Sequence, residues 1–368
     1  MKTKQLGHGT TSFSSLKSTA RIAAFSLVLI NPVFTGHAMV PGKNTHTPAF
    51  GAHGEPNKKQ GFGKAMAENA PAKAADVNAR DMYGLTLLLR AAHGGDENAV
   101  NSLIARGADV DFKDYEGHTP LMMAVIRENN KIVKLLIANG ADVNAGDELN
   151  LTVLTYAAHN ANEEIIKLLI AKGADVNAKN ILGETALMGA RTKAIAELLI
   201  AKGADVNAKD NDGWTVLMKA VYGGEIEIAG FLIAKGADVD AREDNGGTAL
   251  VMAIVRGNRK MAEILIAHGA DVNVKFKYDV TPLMLVKTKE TAELLIAKGA
   301  ELNVRSFAGM TALMKAAREG KTEIAALLVA KGADMKARDN NGRTAVMWAL
   351  KEGHREIADM LIAHGARE

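Results

Sequence analysis

One short phrase, Gly-Ala-Asp, recurs along most of the chain. It stands at Gly107, Gly140, Gly173, Gly203, Gly236, Gly269 and Gly332, with Gly-Ala-Glu at Gly299 and Gly-Ala-Arg at Gly365. Successive glycines lie 33, 33, 30, 33, 33, 30, 33 and 33 residues apart. A fixed period of this size marks an array. A unit of about 30 residues cannot bury its apolar face alone and must lay it on a neighbour. The spacing therefore predicts a solenoid of nine repeats over 75–368.

Each unit has the same internal grammar. A threonine (Thr86, Thr119, Thr152, Thr185, Thr215, Thr248, Thr281, Thr311, Thr344) precedes an apolar run, the place of a helix N-cap, where a hydroxyl accepts from an orphan backbone N–H. Pro120 and Pro282 follow two of them, at a first-turn position that tolerates proline. In the unit from Gly203 to Gly236, Leu217 and Ala220 share one face of a first helix. Gly223-Gly224 break it, and Ile228, Phe231 and Leu232 form the stripe of a second helix that stops at Gly236. Two residues before each threonine stands a glycine, or Asn150 or Asp279, residues that tolerate positive φ.

These features resemble the ankyrin repeat. Thr119-Pro120-Leu121-Met122-Met123-Ala124 and Thr281-Pro282-Leu283-Met284 are similar to the family's Thr-Pro-Leu-His phrase, and Gly-Ala-Asp-Val-Asn-Ala at 140–145, 173–178 and 203–208 to its link. The resemblance implies an all-α solenoid of stacked helix-turn-helix units with β-hairpin-like loops. One departure is consistent: the family histidine is replaced in every copy, by Leu89, Met122, Thr155, Met188, Met218, Val251, Met284, Met314 and Met347. The hydrogen bonds that histidine makes are absent.

The remaining chain divides into two segments. Residues 1–38 hold Lys2, Lys4, Lys17 and Arg21, no acid, an apolar block from Ile22 to Ile30, and small residues at Gly36 and Ala38. They read as a secretory signal peptide; a mitochondrial transit peptide is the rival. The block is too short for a retained transmembrane anchor, which needs about 20 apolar residues. Export to a periplasm or the medium is expected, with a mature start at Met39. Residues 39–74, with Pro41, Pro48, Pro56 and Pro71, read as a flexible linker. Asn101 and Ser102 stand where later copies are apolar, a polar outer face suited to a terminal cap. The two 30-residue units carry Arg191-Thr192-Lys193 and Lys287-Thr288-Lys289 where others have six residues. Their first helices are expected to end about one turn early.

Chemistry is sparse. With 0 cysteines there is no disulfide, thiolate metal site or cysteine nucleophile. Asp210-Asn211-Asp212-Gly213 faintly resembles a calcium loop, but Lys219 stands where a glutamate is required. No phosphate-binding loop, dinucleotide fingerprint or nucleophile elbow occurs. The methionines sit at core spacing. No enzyme activity, cofactor or metal is expected. Four of the 45 Lys and Arg lie in 1–38, leaving 41 against 42 acids, a balance that argues against a nucleic-acid partner.

A basic column runs through Arg80, Lys113, Lys179, Lys209, Arg242, Lys275, Arg305 and Arg338, with Gly146 the exception. Asp81, Asp114, Asp210, Glu243 and Asp339 follow directly, so a solvated rim of mixed sign is the plain reading. Large apolar residues stand near the turn: Tyr83, Tyr115, Leu149, Leu182, Trp214, Tyr278 and Phe307. A row of them along one edge signals interaction. The array is expected to be a monomeric protein-binding scaffold, using a concave face of hairpin tips and first helices. Its centre is placed at Trp214 and Tyr222, flanked by Tyr115, Lys209 and Arg242, with Tyr83, Tyr278 and Phe307 further contacts. Two alternatives stand beside it: a module that protects or assembles a partner enzyme, and a secreted effector with catalytic activity.

Overall fold

The computed structural model describes residues 76–366. The segments expected as leader (1–38) and linker (39–74) lie outside them. Contacts divide the chain into a unit ending at Ala79 and a compact unit from Arg80 to Glu368. Of the first, Asp76–Ala79 form one turn: the Ala79 N–H donates to the Asp76 carbonyl at 3.0 Å, and the Asn78 N–H to Asp76 Oδ1 at 3.0 Å.

The second unit is all-α. Its helices come in pairs, from Leu87–Gly94 with Glu97–Ala105 to Ala345–Lys351 with Arg355–Ala363. No strand occurs among the described residues, only isolated antiparallel bridges such as Lys209 with Thr215. First helices pack on first helices of neighbouring units and second helices on second helices, giving two layers. Leu217, Met218 and Val221 of the helix Val216–Gly223 are 0–1% exposed, as are Ala229 and Leu232 of Ile226–Ala234. Burying a leucine this completely stabilises by about 1.5–3 kcal/mol relative to leaving it in water. Phe231, expected on the same stripe, lies at its margin, half-buried between Lys193 and Lys235 at 5.9 and 5.6 Å. The apolar residues that replace the family histidine fill the core: Leu89, Met122, Met218 and Met314 are 0–1% exposed.

The helix ends follow the local sequence. Gly236 has φ 89°, and the N–H groups of Gly236 and Ala237 donate to the carbonyls of Ile233 and Leu232 at 3.0 Å each. This is the left-handed termination that glycine permits. At the hairpin, Asn150 (φ 57°) and Asp279 (φ 55°) take the positive-φ place held elsewhere by glycine. Six threonines cap through Oγ1. Thr185, Thr248 and Thr281 do not, and the expectation of nine caps is corrected to that extent. The reason is visible in the backbone. The six capping threonines have φ between −81° and −93°, whereas Thr185, Thr248 and Thr281 have −104°, −114° and −105°.

The 30-residue units lose their first helix rather than merely a turn of it. Single 3-10 turns, Ala186–Gly189 and Pro282–Met284, replace helices of seven or eight residues, while the second helices Lys193–Ala201 and Lys289–Ala297 keep nine.

Candidate functional site

One face of the unit is built by the hairpin. Asp210 Oδ1 accepts from the N–H groups of Asp212 (3.0 Å) and Trp214 (2.8 Å), two and four residues on. Asp81, Asp114, Asp147, Asn180 and Asp339 do the same in their units. A side-chain acceptor thus shapes these six turns, as Asx residues do. In four units the second carboxylate oxygen reaches nine residues on, into the first helix. Asp81 holds Arg90 Nε (2.7 Å), Asp147 the Tyr156 hydroxyl (2.7 Å), Asp210 Lys219 Nζ (2.8 Å) and Asp339 Trp348 Nε1 (3.1 Å). Tips and first helices are thereby locked onto one tip face.

The acids after the basic column are therefore turn-builders, more than the charge partners of a rim. The column is also structural. Six of the eight cations bond the backbone carbonyl at the same position one unit on, among them Lys113 Nζ to Gly146 (2.8 Å), Lys179 to Lys209 (3.0 Å), Lys209 to Arg242 (3.1 Å), and Arg242 Nη1 to Lys275 (3.1 Å), with Arg80 and Arg305 the others. Single backbone bonds link successive tips: the Asn211 N–H donates to the Leu182 carbonyl and the Asp244 N–H to that of Asp212 (2.9 and 3.1 Å). Close approach explains Gly117: a Cβ there would lie 2.6 Å from the Glu148 nitrogen. Lys209 and Arg242, expected as partner contacts, have their cationic ends held in these stitches.

The apolar tips do not form one row. Tyr83, Leu149, Leu182 and Tyr278 stand two residues after the turn-building position, Tyr115 and Phe307 one residue after it, and Trp214 four. Tyr83, Tyr115, Tyr278 and Phe307 are 60–73% exposed, whereas Leu149, Leu182 and Trp214 are half-buried. Tyr115 packs over Gly84 of the preceding hairpin. The seventh hairpin differs: Phe276 replaces the acid, is 9% exposed, and packs with Val251 and Val274. Its turn closes through two consecutive positive-φ residues, Tyr278 (63°) and Asp279 (55°).

At the middle of the face Trp214 and Tyr222 meet edge-on, centroids 5.5 Å apart. Arg256 lies over the Tyr222 ring at 4.7 Å and Lys219 over Trp214 at 5.8 Å. Lys219 joins two units, bonding Asp210 and Glu184 at 2.8 Å each. Burial pushes the Lys219 ammonium down, but its bonds to Asp210 and Glu184 outweigh this and raise it. Burial likewise pushes Glu184 up, and Lys219 pulls it below the ordinary carboxylate value. Burial, then the bond to Asp147, raises the Tyr156 phenol.

Sequence reasoning missed Trp348. It is 6% exposed, and Arg318, Arg343 and Lys351 stand over its ring at 5.0, 4.8 and 4.8 Å. The signal available was the nine-residue spacing from Asp339, which repeats that of Asp210 and Lys219. Among the described residues, no helix is long and apolar enough to cross a membrane.

A family model for ankyrin repeats, built on three copies, matches residues 61–147, 145–210, 189–276 and 277–368. Among solved structures, the chain is similar to the ankyrin repeat domain of Bcl-3, described as a unique member of the IkappaB protein family. The identity is 30% and the TM-score 0.53, over 58% of this chain and 99% of that one. No curated protein matches.

Proposed function

The chain belongs to the ankyrin-repeat family, whose repeats mediate protein–protein interaction, and on that premise we propose that it is an exported, non-enzymatic scaffold of nine repeats. It holds its partner on a concave face made of the hairpin tips and first helices, as a monomer without stable membrane insertion. The observation that carries this reading is the continuity of the tip face. Backbone bonds link the tips from unit to unit, and in four units a side-chain bond ties the tip to the first helix, a preorganisation that lowers the ordering cost of binding.

We place the centre at Trp214 and Tyr222. Interface energy concentrates in a few central Trp, Tyr and Arg side chains, each costing about 2 kcal/mol or more on truncation. Export rests on the sequence of 1–38, and N-terminal sequencing of native protein should read from Met39. For the site, the Trp214→Ala, Tyr222→Ala variant should remain folded and lose the partner captured from the native compartment. If it loses thermal stability while the folded fraction binds unchanged, the pair is structural and the centre lies elsewhere.

A further inference from the structure

The tip face changes sign along its length. In 113–128 and 146–161, the hairpins and first helices of the second and third units, five Asp or Glu stand against two Lys or Arg. In 275–288, 305–320 and 338–353, the corresponding segments of the last three units, nine Lys or Arg stand against four acids. Three of those four are already engaged, Glu352 with Lys351 at 4.0 Å. Asp339, 5% exposed, accepts from Asn341, Arg343 and Trp348, and Glu319 pairs with Lys315 and Lys321. Among the described residues no carboxylate lies within ion-pair distance of the Arg318 or Arg343 guanidinium. Both stack on Trp348 instead. The ring holds the two planar forks at 5.0 and 4.8 Å from its centroid, and a guanidinium fork matches a carboxylate bidentately. Tyr278 and Phe307, 65% and 73% exposed at the tips of the same stretch, add apolar contact.

We propose that the tip face over 275–353 binds an acidic segment of a partner protein, with Arg318 and Arg343, aligned on Trp348, as its carboxylate anchors. This rests on the reading of the tip face as protein-binding and adds the partner's chemistry and direction: its acidic end lies on the last three units. A nucleic acid fits less well. An extended phosphate backbone continuing along the face would meet the acidic stretch at 113–161, whereas a short acidic peptide ends before it.

The full chain should bind a short labelled peptide of Asp and Glu carrying Phe, more tightly than the same peptide with Lys for each acid and than a single-stranded oligonucleotide of similar length. Replacing both anchors, Arg318→Gln with Arg343→Gln, should weaken the acidic peptide by about tenfold, the scale of two exposed charge pairs. The same charge change at the ends of two second helices, Lys202→Gln with Lys298→Gln, should change it by less than about twofold. Equal losses in both pairs would reduce the effect to net charge and overturn the proposal, as would no binding of the peptide or tighter binding of the oligonucleotide. The Trp214→Ala, Tyr222→Ala variant should retain the acidic peptide. If the peptide fails while a captured partner still requires Trp214 and Tyr222, only the acidic-segment inference falls.

Discussion

The 33-residue and 30-residue units share a hairpin and a second helix and differ in what lies between. The second helix Lys193–Ala201 and its capping Thr192 are as complete as any in the array. The hairpin before Thr185 spans the same twelve residues from Gly173 as the one from Gly203 to Thr215. Only the first helix is lost, to one 3-10 turn whose internal bonds are Met188 to Thr185 and Ala190 to Leu187 (3.1 and 3.2 Å). A first helix can therefore shrink to a single turn, still packed on the first helix of the preceding unit, without breaking the register. Such a turn holds its core residues with fewer fixed neighbours, which is where local opening is expected.

The largest test of that difference is the cost of equal core truncations. Leu217→Ala, in the intact first helix Val216–Gly223, removes a side chain 1% exposed; Leu187→Ala, in the 3-10 turn, removes one 2% exposed. Leucine truncations in cores cost about 2–5 kcal/mol, less where the site can collapse. Leu217→Ala should fall in the upper half of that range and Leu187→Ala in the lower, by denaturant titration. Equal costs would mean that the short turn is as rigid as the helix it replaces.

A smaller effect separates unit length from backbone angle. Thr215 caps Met218 N–H at 3.2 Å, whereas the Thr185 and Thr248 hydroxyls are buried with no hydrogen-bond partner. Valine keeps the shape and removes the hydroxyl. Thr215→Val should cost about 1 kcal/mol, the worth of a cap. Thr185→Val and Thr248→Val should be neutral or stabilising by about as much, because an unsatisfied buried group is removed. Thr248 sits in a 33-residue unit, so if it behaves like Thr185, φ rather than unit length decides the cap. A destabilising Thr248→Val would show that its hydroxyl is satisfied in solution.

Repeat, helix pairing and turn glycines were legible because period, cap and positive-φ residues are local signals. The substitution of Asn150 and Asp279 for glycine was legible for the same reason. The fate of the short units was half legible. Three missing residues after Ala190 and Val286 locate the deficit, but that the remainder winds as 3-10 depends on packing between neighbours. The role of the basic column was not legible. Adjacent Lys209 and Asp210 look like a mixed-charge rim, yet one side chain bonds the next unit's carbonyl and the other closes its own turn. Those bonds run between residues 33 apart or within a turn whose geometry the sequence leaves open. Trp348 escaped because its partners, Asp339 and Arg318, lie in the hairpin and in the preceding unit.

The smallest effect is electrostatic and tests the seam where a short unit meets a long one. Lys219 in the helix Val216–Gly223 bonds Glu184 beside the 3-10 turn Ala186–Gly189. Glu184 titrates below its ordinary value of 4.5 in the folded chain, so its contribution is present above about pH 4.5 and is lost as pH falls through the lower folded value. Lys219 is raised above 10.5, so its contribution is complete below that pH and is lost only as pH rises through the folded value. The link is thus at full strength around neutrality. Glu184→Gln should lower the melting temperature near pH 7 by about 2–4 °C, corresponding to about 1 kcal/mol for a partly exposed pair. That gap should close as the parent is acidified through the lowered folded value of Glu184, because the protonated carboxyl no longer attracts Lys219. A gap that persists undiminished at low pH would assign the loss to packing of the Glu184 side chain. The seam would then be held by shape and by the Asp210–Lys219 bond within the long unit, not by charge between the two.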